Sequence, residues 1–303
     1  MEPIGILKDG QVYDLQTALA LNIQGVEIKA DDSKESLDIL RHSCAHMMAQ
    51  AIKELYPEAK FFVGPVVKEG FYYDFKVESK ISDEDLPTIE KKMKEIADRK
   101  LPITRHETTK EEFFEKFKND ELKQAVLKNI KDDTLTIYKQ GDFEDLCRGP
   151  HLPNTRMIRS FKLTRVAGAY LGGDEKNEMI TRIYGIAFFD KQALFDYTKM
   201  IEEAKKRDHR KLGTELELFT FNDDVGAGLP MWLPNGARLR SKLEHLLYKA
   251  HRVRGYEPVR GPEILKAEMW KISGHYANYK ENMYFTTIDE QEYGIKPMNC
   301  VGH

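Results

Sequence analysis

The sequence has only three cysteines and no long apolar run. An odd number of cysteines, two of them beside histidines, argues against a disulfide framework and favours a reducing cytosol where thiols serve as ligands or reactive groups. No stretch approaches the ~20 apolar residues of a membrane span. The first ten residues lack the basic start and apolar core of a secretory signal. We therefore expect a cytoplasmic protein with no membrane partner.

Several motifs that would by themselves identify a class of reaction are also absent from the sequence. The sequence has no glycine-rich phosphate loop of the dinucleotide or P-loop type and no G-x-S-x-G nucleophile elbow. Its net charge of −3 neither favours nor excludes a nucleic acid, because a polyanion is attracted by locally clustered basic residues. The 303 residues, 41% hydrophobic and 32% charged, predict a soluble globular protein with two or more domains.

Hydrophobic periodicity predicts a mixture of helices and strands. Residues 1–33 form a short β-rich element with a hairpin turn at 8–10. A helix follows over residues 36–55. Strands, in which aromatic or branched residues alternate with polar ones, are predicted over residues 61–75, 134–140 and 161–190.

Further helices are predicted from capping residues and spacing. Capping-box pairs at 82/85 and 109/112 each open a helix. A helix over 190–212 ends in the basic run 205–211, which could bind a phosphate backbone or be a solvated helix end. Another helix runs over 237–254 and is closed by a glycine.

Two short clusters, about a hundred residues apart, carry most of the chemical information. His42 and His46 stand four positions apart on a predicted helix and so project from one face. Cys147 and His151 have the same spacing, but the Gly-Pro step between them excludes a helix and places them on a loop. Each pair alone is more often a set of ordinary buried side chains. Brought together, they could hold a metal ion, orient a water or shuttle a proton.

Other side chains could join the same pocket. Lys123, Tyr73, Tyr138 and Asp145 are candidates, although each could be an ordinary surface or core residue. A thiol buried beside imidazoles is expected to have a lowered pKa. Cys300 taken alone is expected to be a buried core cysteine on a strand, because the C-x-x-H spacing around it is too short to define a site.

Several short segments of the sequence, taken together, resemble the threonyl-tRNA synthetase family. The similarity rests on RHSCAH at 41–46, GPV at 64–66 with GFYYD at 70–74, and DLCRGPH at 145–151. Further similar strings are AGAY at 167–170, RIYG at 182–185, KRDHRK at 206–211, GP at 261–262, the segment 270–279 and KPMNCVGH at 296–303. The resemblance covers nearly everything after residue 33.

The resemblance implies an α+β fold divided along the chain. It implies a short β-rich stub at 1–33, then a threonyl/alanyl-type editing domain over 34–190. A linker helix over 191–212 would lead to the beginning of a class II synthetase antiparallel-sheet domain over 213–303. Members of the family usually carry a larger ubiquitin-like domain at the N-terminus, and usually have proline where Val301 stands.

The same resemblance leads us to expect either a fragment or a drastically shortened protein. The family's second and third class II motifs, two histidine ligands of zinc and the anticodon-binding domain would all lie beyond His303. A chain without them is expected to hydrolyse seryl-tRNA at most weakly and not to activate threonine.

In this family, two sites in one protein separate threonine from its near relatives. A zinc ion that binds the amino group and hydroxyl of threonine rejects valine, whereas serine lacks only a methyl group worth ~1–3 kcal/mol. A second site must therefore hydrolyse seryl-tRNA(Thr) and exclude threonine by crowding that methyl. The resemblance implies a threonine–tRNA ligase that uses ATP with magnesium, binds tRNA(Thr) and forms a homodimer, although the fragment alone could be a monomer.

The resemblance also assigns roles to side chains of this chain. The groups that would bind the misacylated adenosine end and activate or orient a water are His42, Cys147 and Lys123. The groups that would complete the pocket or position the substrate are His46, His151, Asp145, Tyr73 and Tyr138. In the C-terminal region, Cys300 would bind the catalytic zinc and Met298 would contact the substrate.

Two questions stay open at the level of sequence. The family implies an editing pocket that works without zinc, which we expect here, yet related alanyl-type editing domains bind zinc with a similar Cys/His3 set. Two other functions also remain. One is a freestanding trans-editing aminoacyl-tRNA hydrolase, against which residues 213–303 argue, and the other is a non-catalytic zinc- and RNA-binding module.

Overall fold

The structure, a computed structural model, describes residues 2–128, 130 and 134–300. The chain divides into two compact units, Met1–Lys205 and Lys206–His303, here called the first and second units. Among the described helices, none is both long and apolar enough to cross a membrane.

The first unit mixes helices and strands, as the α+β expectation requires. Its helices are α1 Leu15–Ala20, α2 Lys34–Leu55, α3 Leu86–Asp98, α4 Lys110–Lys116, α5 Glu121–Lys128 and α6 Lys191–Lys206. Its strands are β1 Pro3–Lys8, β2 Gln11–Asp14, β3 Val26–Lys29, β4 Lys60–Phe61, β5 Val66–Val67, β6 Gly70–Lys76, β7 Ile103–Thr109, β8 Thr134–Gln140, β9 Phe143–Leu146, β10 Ser160–Tyr170 and β11 Met179–Phe188.

Helix α2 lies at the centre of the first unit, and its predicted extent is confirmed. It follows Ser33 and ends before Pro57, which cannot continue a helix. Between Ser36 and Ile52 every side chain is buried except two that are half-buried, one of which is His42. A helix buried on nearly all sides must be covered by several elements, and α2 packs against α3, β6, β11 and the N-terminal strands.

Three antiparallel sheets surround this helix. One has the strand order β10-β11-β6-β4, with β5 paired to β6; the others have the orders β7-β8-β9 and β2-β1-β3. The predicted strands over 61–75, 134–140 and 161–190 are thereby confirmed. The predicted hairpin is also present: Lys8 pairs with Gln11, and Asp9 and Gly10 take the left-handed conformations, φ 51° and 77°, of a two-residue turn.

One predicted helix in this region is wrong and several are confirmed. The segment predicted as one helix over 190–212 is two helices, because α6 ends at Lys206 and α7 begins at His209. Asp208 interrupts the helix, since its side chain accepts a hydrogen bond from the Arg210 N–H at 2.8 Å and caps α7 instead. Both predicted capping boxes form.

The second unit is smaller and also mixed. Its helices are α7 His209–Glu215, α8 Pro234–Arg252, α9 Ala267–Ile272 and α10 His275–Tyr279, and its strands are β12 Phe219–Thr220, β13 Met231–Trp232, β14 Ile264–Lys266, β15 Phe285–Ile288 and β16 Gln291–Ile295. Strands β14, β16 and β15 form an antiparallel sheet in that order. The predicted helix over 237–254 is confirmed, although α8 starts three residues earlier with Pro234 at its first turn.

The packing of α2 predicts a large difference between two leucines. Leu40 is fully buried on α2, whereas Leu19 on α1 is 84% exposed. Leu40→Ala should lower the free energy of unfolding by about 2–5 kcal/mol, because it leaves a cavity. Leu19→Ala should change it by about 0.5 kcal/mol or less. Urea unfolding followed by circular dichroism measures both, and equal losses would contradict the burial of α2.

Candidate functional site

The two predicted clusters meet in the structure. His42 and His46 lie one turn apart on α2, with ring centroids 5.2 Å apart. The loop after β9 carries Cys147 and His151 across to them, and the sulfur lies 3.2 Å from Nε2 of His42 and 3.2 Å from Nε2 of His151. One potential ligand atom from each of the four residues lies within 4.8 Å of the other three. The expected convergence of the two clusters is confirmed.

Ser43 joins the helix to the loop and sets the protonation of one imidazole. Its hydroxyl donates to the Ile39 carbonyl at 2.9 Å and accepts the Leu152 N–H at 2.8 Å. Because its only proton is used on Ile39, the contact with His151 Nδ1 at 3.2 Å is a bond that the imidazole donates. A neutral His151 therefore presents the lone pair of Nε2 to the Cys147 sulfur.

Burial keeps the cluster uncharged. It lowers the pKa of His42 to about 4 and those of His46 and His151 well below the ordinary value. It also raises the pKa of the Cys147 thiol. The expectation of a lowered thiol pKa is wrong, because neutral imidazoles supply no positive charge to stabilise a thiolate, and the nearby carboxylates of Asp145 and Asp14 disfavour one.

A buried ion pair stands beside the cluster. Lys123 Nζ donates to the carboxylate of Asp145, which also accepts from the Tyr73 hydroxyl and from the Leu146 N–H. Lys123 and Asp145 are only 4% and 2% exposed on their side chains. Desolvation lowers the pKa of Lys123 to about 8 and raises that of Asp145, so burial disfavours the charged form of each partner.

Tyr138, on β8, contacts the cluster. It also contacts Asp14, a site residue that sequence reasoning missed. The Tyr138 ring packs on the His151 imidazole at a centroid distance of 4.5 Å. Its hydroxyl donates to Asp14 at 2.6 Å. Asp14 precedes the apolar-periodic string that forms α1 and serves as its N-cap. That capping signal could have singled out Asp14, and Ser43 lies within the RHSCAH string itself.

Two of the four clustered groups remain accessible from outside. His42 and Cys147 are half-buried, whereas His46 and His151 are buried. Cys147 lines a cavity of about 380 Å³, and Lys123 and Asp145 line another of about 480 Å³. Both volumes fall in the range of small-molecule sites. A ligand can therefore approach the cluster at Cys147 through one cavity and the Lys123–Asp145 pair through the other.

The donor set also fits a zinc ion. Imidazole nitrogens and cysteine thiolates are zinc ligands, zinc takes four of them in tetrahedral sites, and these four ligand atoms are close enough together to share one ion. The hydrogen bond that His151 Nδ1 donates to Ser43 is of the kind that orients a metal-ligating histidine.

The C-terminal candidates belong to the second unit. Met298 is 43% exposed there, and Cys300 is exposed and not on a strand, so the expectation of a buried strand cysteine is wrong. β16 ends at Ile295, and Pro297 lacks the N–H that would continue the ladder. Cys300 Sγ lies 3.2 Å from Nε2 of His275, which sequence reasoning did not single out. Val301 and His303 lie outside the described residues.

Comparison with known proteins agrees with this site. A family model described as "Threonyl and Alanyl tRNA synthetase second additional domain" matches residues 135–184, which include Cys147 and His151. The threonine–tRNA ligase of Campylobacter jejuni (strain 81116) is 70% identical over 302 residues, covering 100% of this chain and 50% of that protein. Over its whole length the chain is therefore similar to threonine–tRNA ligases. Its resemblance to that family is confirmed.

Other threonine–tRNA ligases show the same pattern. That of Campylobacter lari is 76% identical over 273 residues, covering 90% of this chain and 45% of that protein, and that of Helicobacter hepaticus is 68% identical over 302 residues, covering 100% and 50%. The chain thus spans about half the length of the curated relatives it matches. A crystal structure of the RNA binding domain of threonyl-tRNA synthetase from Cryptosporidium parvum Iowa II is 48% identical, covers 32% of this chain and 24% of that one, and has a TM-score of 0.31.

The neutral histidines predict a pH dependence of stability. Imidazoles with a pKa near 6.5 when unfolded and a lowered pKa when folded bind more protons in the unfolded state, so stability is lost as pH falls from about 6.5 towards about 4. His46→Asn should reduce the slope in that window by about 1.4 kcal/mol per pH unit. His106→Asn, at an exposed histidine on β7, is the matched control. Urea midpoints at several pH values measure the slope, and equal slopes in wild type and His46→Asn would contradict a neutral, buried His46.

Proposed function

We propose that the first unit hydrolyses seryl-tRNA(Thr) and that the whole protein attaches threonine to tRNA(Thr) with ATP and magnesium. The supporting observation is the meeting of His42, Cys147 and His151 beside the buried pair Lys123–Asp145, in a family whose members are threonine–tRNA ligases. An ester bond can be hydrolysed by such a set, because it needs a base for water and a donor for the leaving oxygen.

The domain assignments belong to the same proposal. Residues 34–190 form the editing domain, with 1–33 as a short N-terminal element and 191–212 as the linker. Residues 213–303 begin the class II catalytic domain, where Cys300 is a zinc ligand and Met298 contacts substrate. The partners are tRNA(Thr), threonine and ATP, the complete protein is a homodimer, and its location is the cytoplasm. The free thiols of the three cysteines agree with a reducing compartment.

His42 and Cys147 meet the substrate in this proposal. They are the half-buried members of the cluster, and Cys147 also lines a cavity, so in this proposal the ester enters at Cys147 and a water lies between its carbonyl and His42. Neutral His42 accepts a hydrogen bond from that water, orients it and takes its proton as the new C–O bond forms. A pKa of about 4 makes this imidazole a weak base, so a second group must supply part of the effect.

In this proposal the second catalytic group is the ammonium of Lys123. Its ammonium stabilises the oxyanion that develops at the carbonyl and donates a proton to the ribose oxygen as the ester bond breaks. Because its pKa is about 8, the amine that remains is reprotonated readily, and the proton that His42 took from water is sufficient for this. Asp145 holds the ammonium in place, and Tyr73 in turn holds Asp145.

Removing the base tests the proposal. His42→Ala should lower the rate of seryl-tRNA(Thr) hydrolysis by about 10²-fold or more, because both the orientation of water and its proton acceptor are lost. The release of serine from radiolabelled seryl-tRNA measures this rate. His106→Ala, at an exposed histidine on β7, is the matched control and should keep full activity.

The same assay separates the proposed hydrolase from a binding module. A module that only binds RNA or zinc would leave seryl-tRNA intact in wild type and variant alike, or would show a background rate that His42→Ala does not change. Threonyl-tRNA(Thr) should be a poor substrate, since the pocket must exclude one extra methyl group.

Zinc provides an independent test. If bound at the cluster, the ion would be held by His42, His46, Cys147 and His151, and four protein ligands would leave no open position for water, so it would stabilise the fold. We therefore expect hydrolysis to survive dialysis against EDTA and added Zn²⁺ to inhibit it. Mg²⁺, which prefers oxygen ligands, should not inhibit. Loss of activity with EDTA and its recovery with Zn²⁺ would overturn the metal-free proposal.

A further inference from the structure

The N-terminal element places a buried carboxylate against the candidate site. Asp14 is the last residue of β2 and is 3% exposed. Its Oδ1 accepts the Thr17 N–H at 2.7 Å. Its Oδ2 accepts two hydrogen bonds from the site, the Tyr138 hydroxyl at 2.6 Å and the His151 N–H at 3.2 Å. One side chain thus links the N-terminal element to two site residues far along the chain.

The two carboxylate oxygens have separate tasks. The bond from Thr17 to Oδ1 is the N-cap of α1, a local device of the kind found at most helix starts. Capping requires nothing of Oδ2, whose two partners both belong to the site. A purely structural explanation of Asp14 therefore accounts for only one half of its contacts.

Attachment of the N-terminal element does not depend on Asp14 alone. The Gln16 side chain accepts a hydrogen bond from the Arg105 N–H at 2.7 Å and donates one to the Ile103 carbonyl. Its amide is therefore bound to the backbone of β7 by two hydrogen bonds. Ile4 is buried in the common core as well. Since other contacts dock the element, the Oδ2 bonds are free to serve the site.

The two hydrogen bonds that Asp14 Oδ2 accepts constrain His151, one directly and one through Tyr138. The backbone N–H of His151 is bound directly, and the Tyr138 ring packs on the His151 imidazole. The loop runs so close that a Cβ on Gly149 would overlap the Tyr138 hydroxyl and lie 2.8 Å from Asp14 Oδ2, at a φ of +73°. The position of the imidazole relative to Cys147 is therefore set by Asp14 as well as by Ser43.

We propose that Asp14 is a positioning residue of the hydrolytic site, whose carboxylate holds Tyr138 and the His151 backbone so that His151 faces the Cys147 sulfur. The proposal rests on the hydrolytic function proposed above. In this proposal the N-terminal element contributes a positioning residue to the site.

The first experiment compares Asp14→Asn with Asp9→Asn in the 303-residue chain. Asparagine keeps an oxygen for Thr17, but its NH2 group is a donor only and accepts neither the Tyr138 hydroxyl nor the His151 N–H. We expect kcat for seryl-tRNA hydrolysis to fall about tenfold or more with KM nearly unchanged, because a small displacement of a catalytic group costs rate. Asp9→Asn, in the exposed β1–β2 turn, should leave both parameters unchanged. A wild-type kcat in Asp14→Asn would overturn the proposal.

A double-mutant cycle tests the route through Tyr138. If Asp14 acts through the Tyr138 hydroxyl, Tyr138→Phe and Asp14→Asn together should lower kcat little more than either alone. Fully multiplicative losses would contradict that route. Should Asp14→Asn fail to fold in a urea titration, Tyr138→Phe, which leaves the cap of α1 intact, replaces it, and an unchanged kcat there would also overturn the proposal.

A second readout needs no tRNA. The rate at which iodoacetamide alkylates Cys147, followed by peptide mass spectrometry, reports the surroundings of the thiol. Asp14→Asn should speed it several-fold, since the variant loses the hydrogen bond that Asp14 accepts from the His151 N–H and so loosens the loop that carries Cys147. Faster alkylation in a chain that hydrolyses no seryl-tRNA would refute the proposed function and keep the positioning role. Unchanged alkylation together with unchanged kcat would refute the positioning role alone.

Discussion

The hydroxyl of Ser43 joins the two halves of the site. It lies on the central helix between the two histidines and takes part in three hydrogen bonds, two of which go to the loop at His151 and Leu152. Without it, a buried N–H of the loop and a buried imidazole N–H would lose their partner, at a cost of about 1–3 kcal/mol each. Helix and loop would then lose two of the polar contacts that set their register.

Desolvation is the second constraint, and it determines the kind of chemistry available. Three imidazoles and a thiol packed together stay neutral, because burial removes most of the water that would stabilise their charged forms. Charge is confined to the adjacent pair of Lys123 and Asp145, and even there burial brings the lysine pKa to about 8. The site thus combines neutral imidazoles with one buried lysine–carboxylate pair, which suits ester hydrolysis more than nucleophilic attack by a thiolate.

Sequence patterns predicted the framework well. The spacing of apolar residues predicted α2, the capping pairs predicted two helix starts, and the Asp9-Gly10 turn predicted the first hairpin. The failures share a physical cause. The break at Asp208 was missed because a capping carboxylate competed with helical periodicity, and the direction of the thiol pKa was missed because it depends on burial, which spacing does not reveal.

The sequence by itself determined which residues could act, since an i, i+4 histidine pair on a helix must share a face and a Gly-Pro step must put Cys147 and His151 on a loop. Only the tertiary structure decided that the two pairs meet, that Ser43 orients His151, and that Asp14 reaches the site from the other end of the unit. The reason is that hydrogen bonds between residues more than a hundred positions apart leave no periodic trace in a sequence. They exist only where packing brings the partners together.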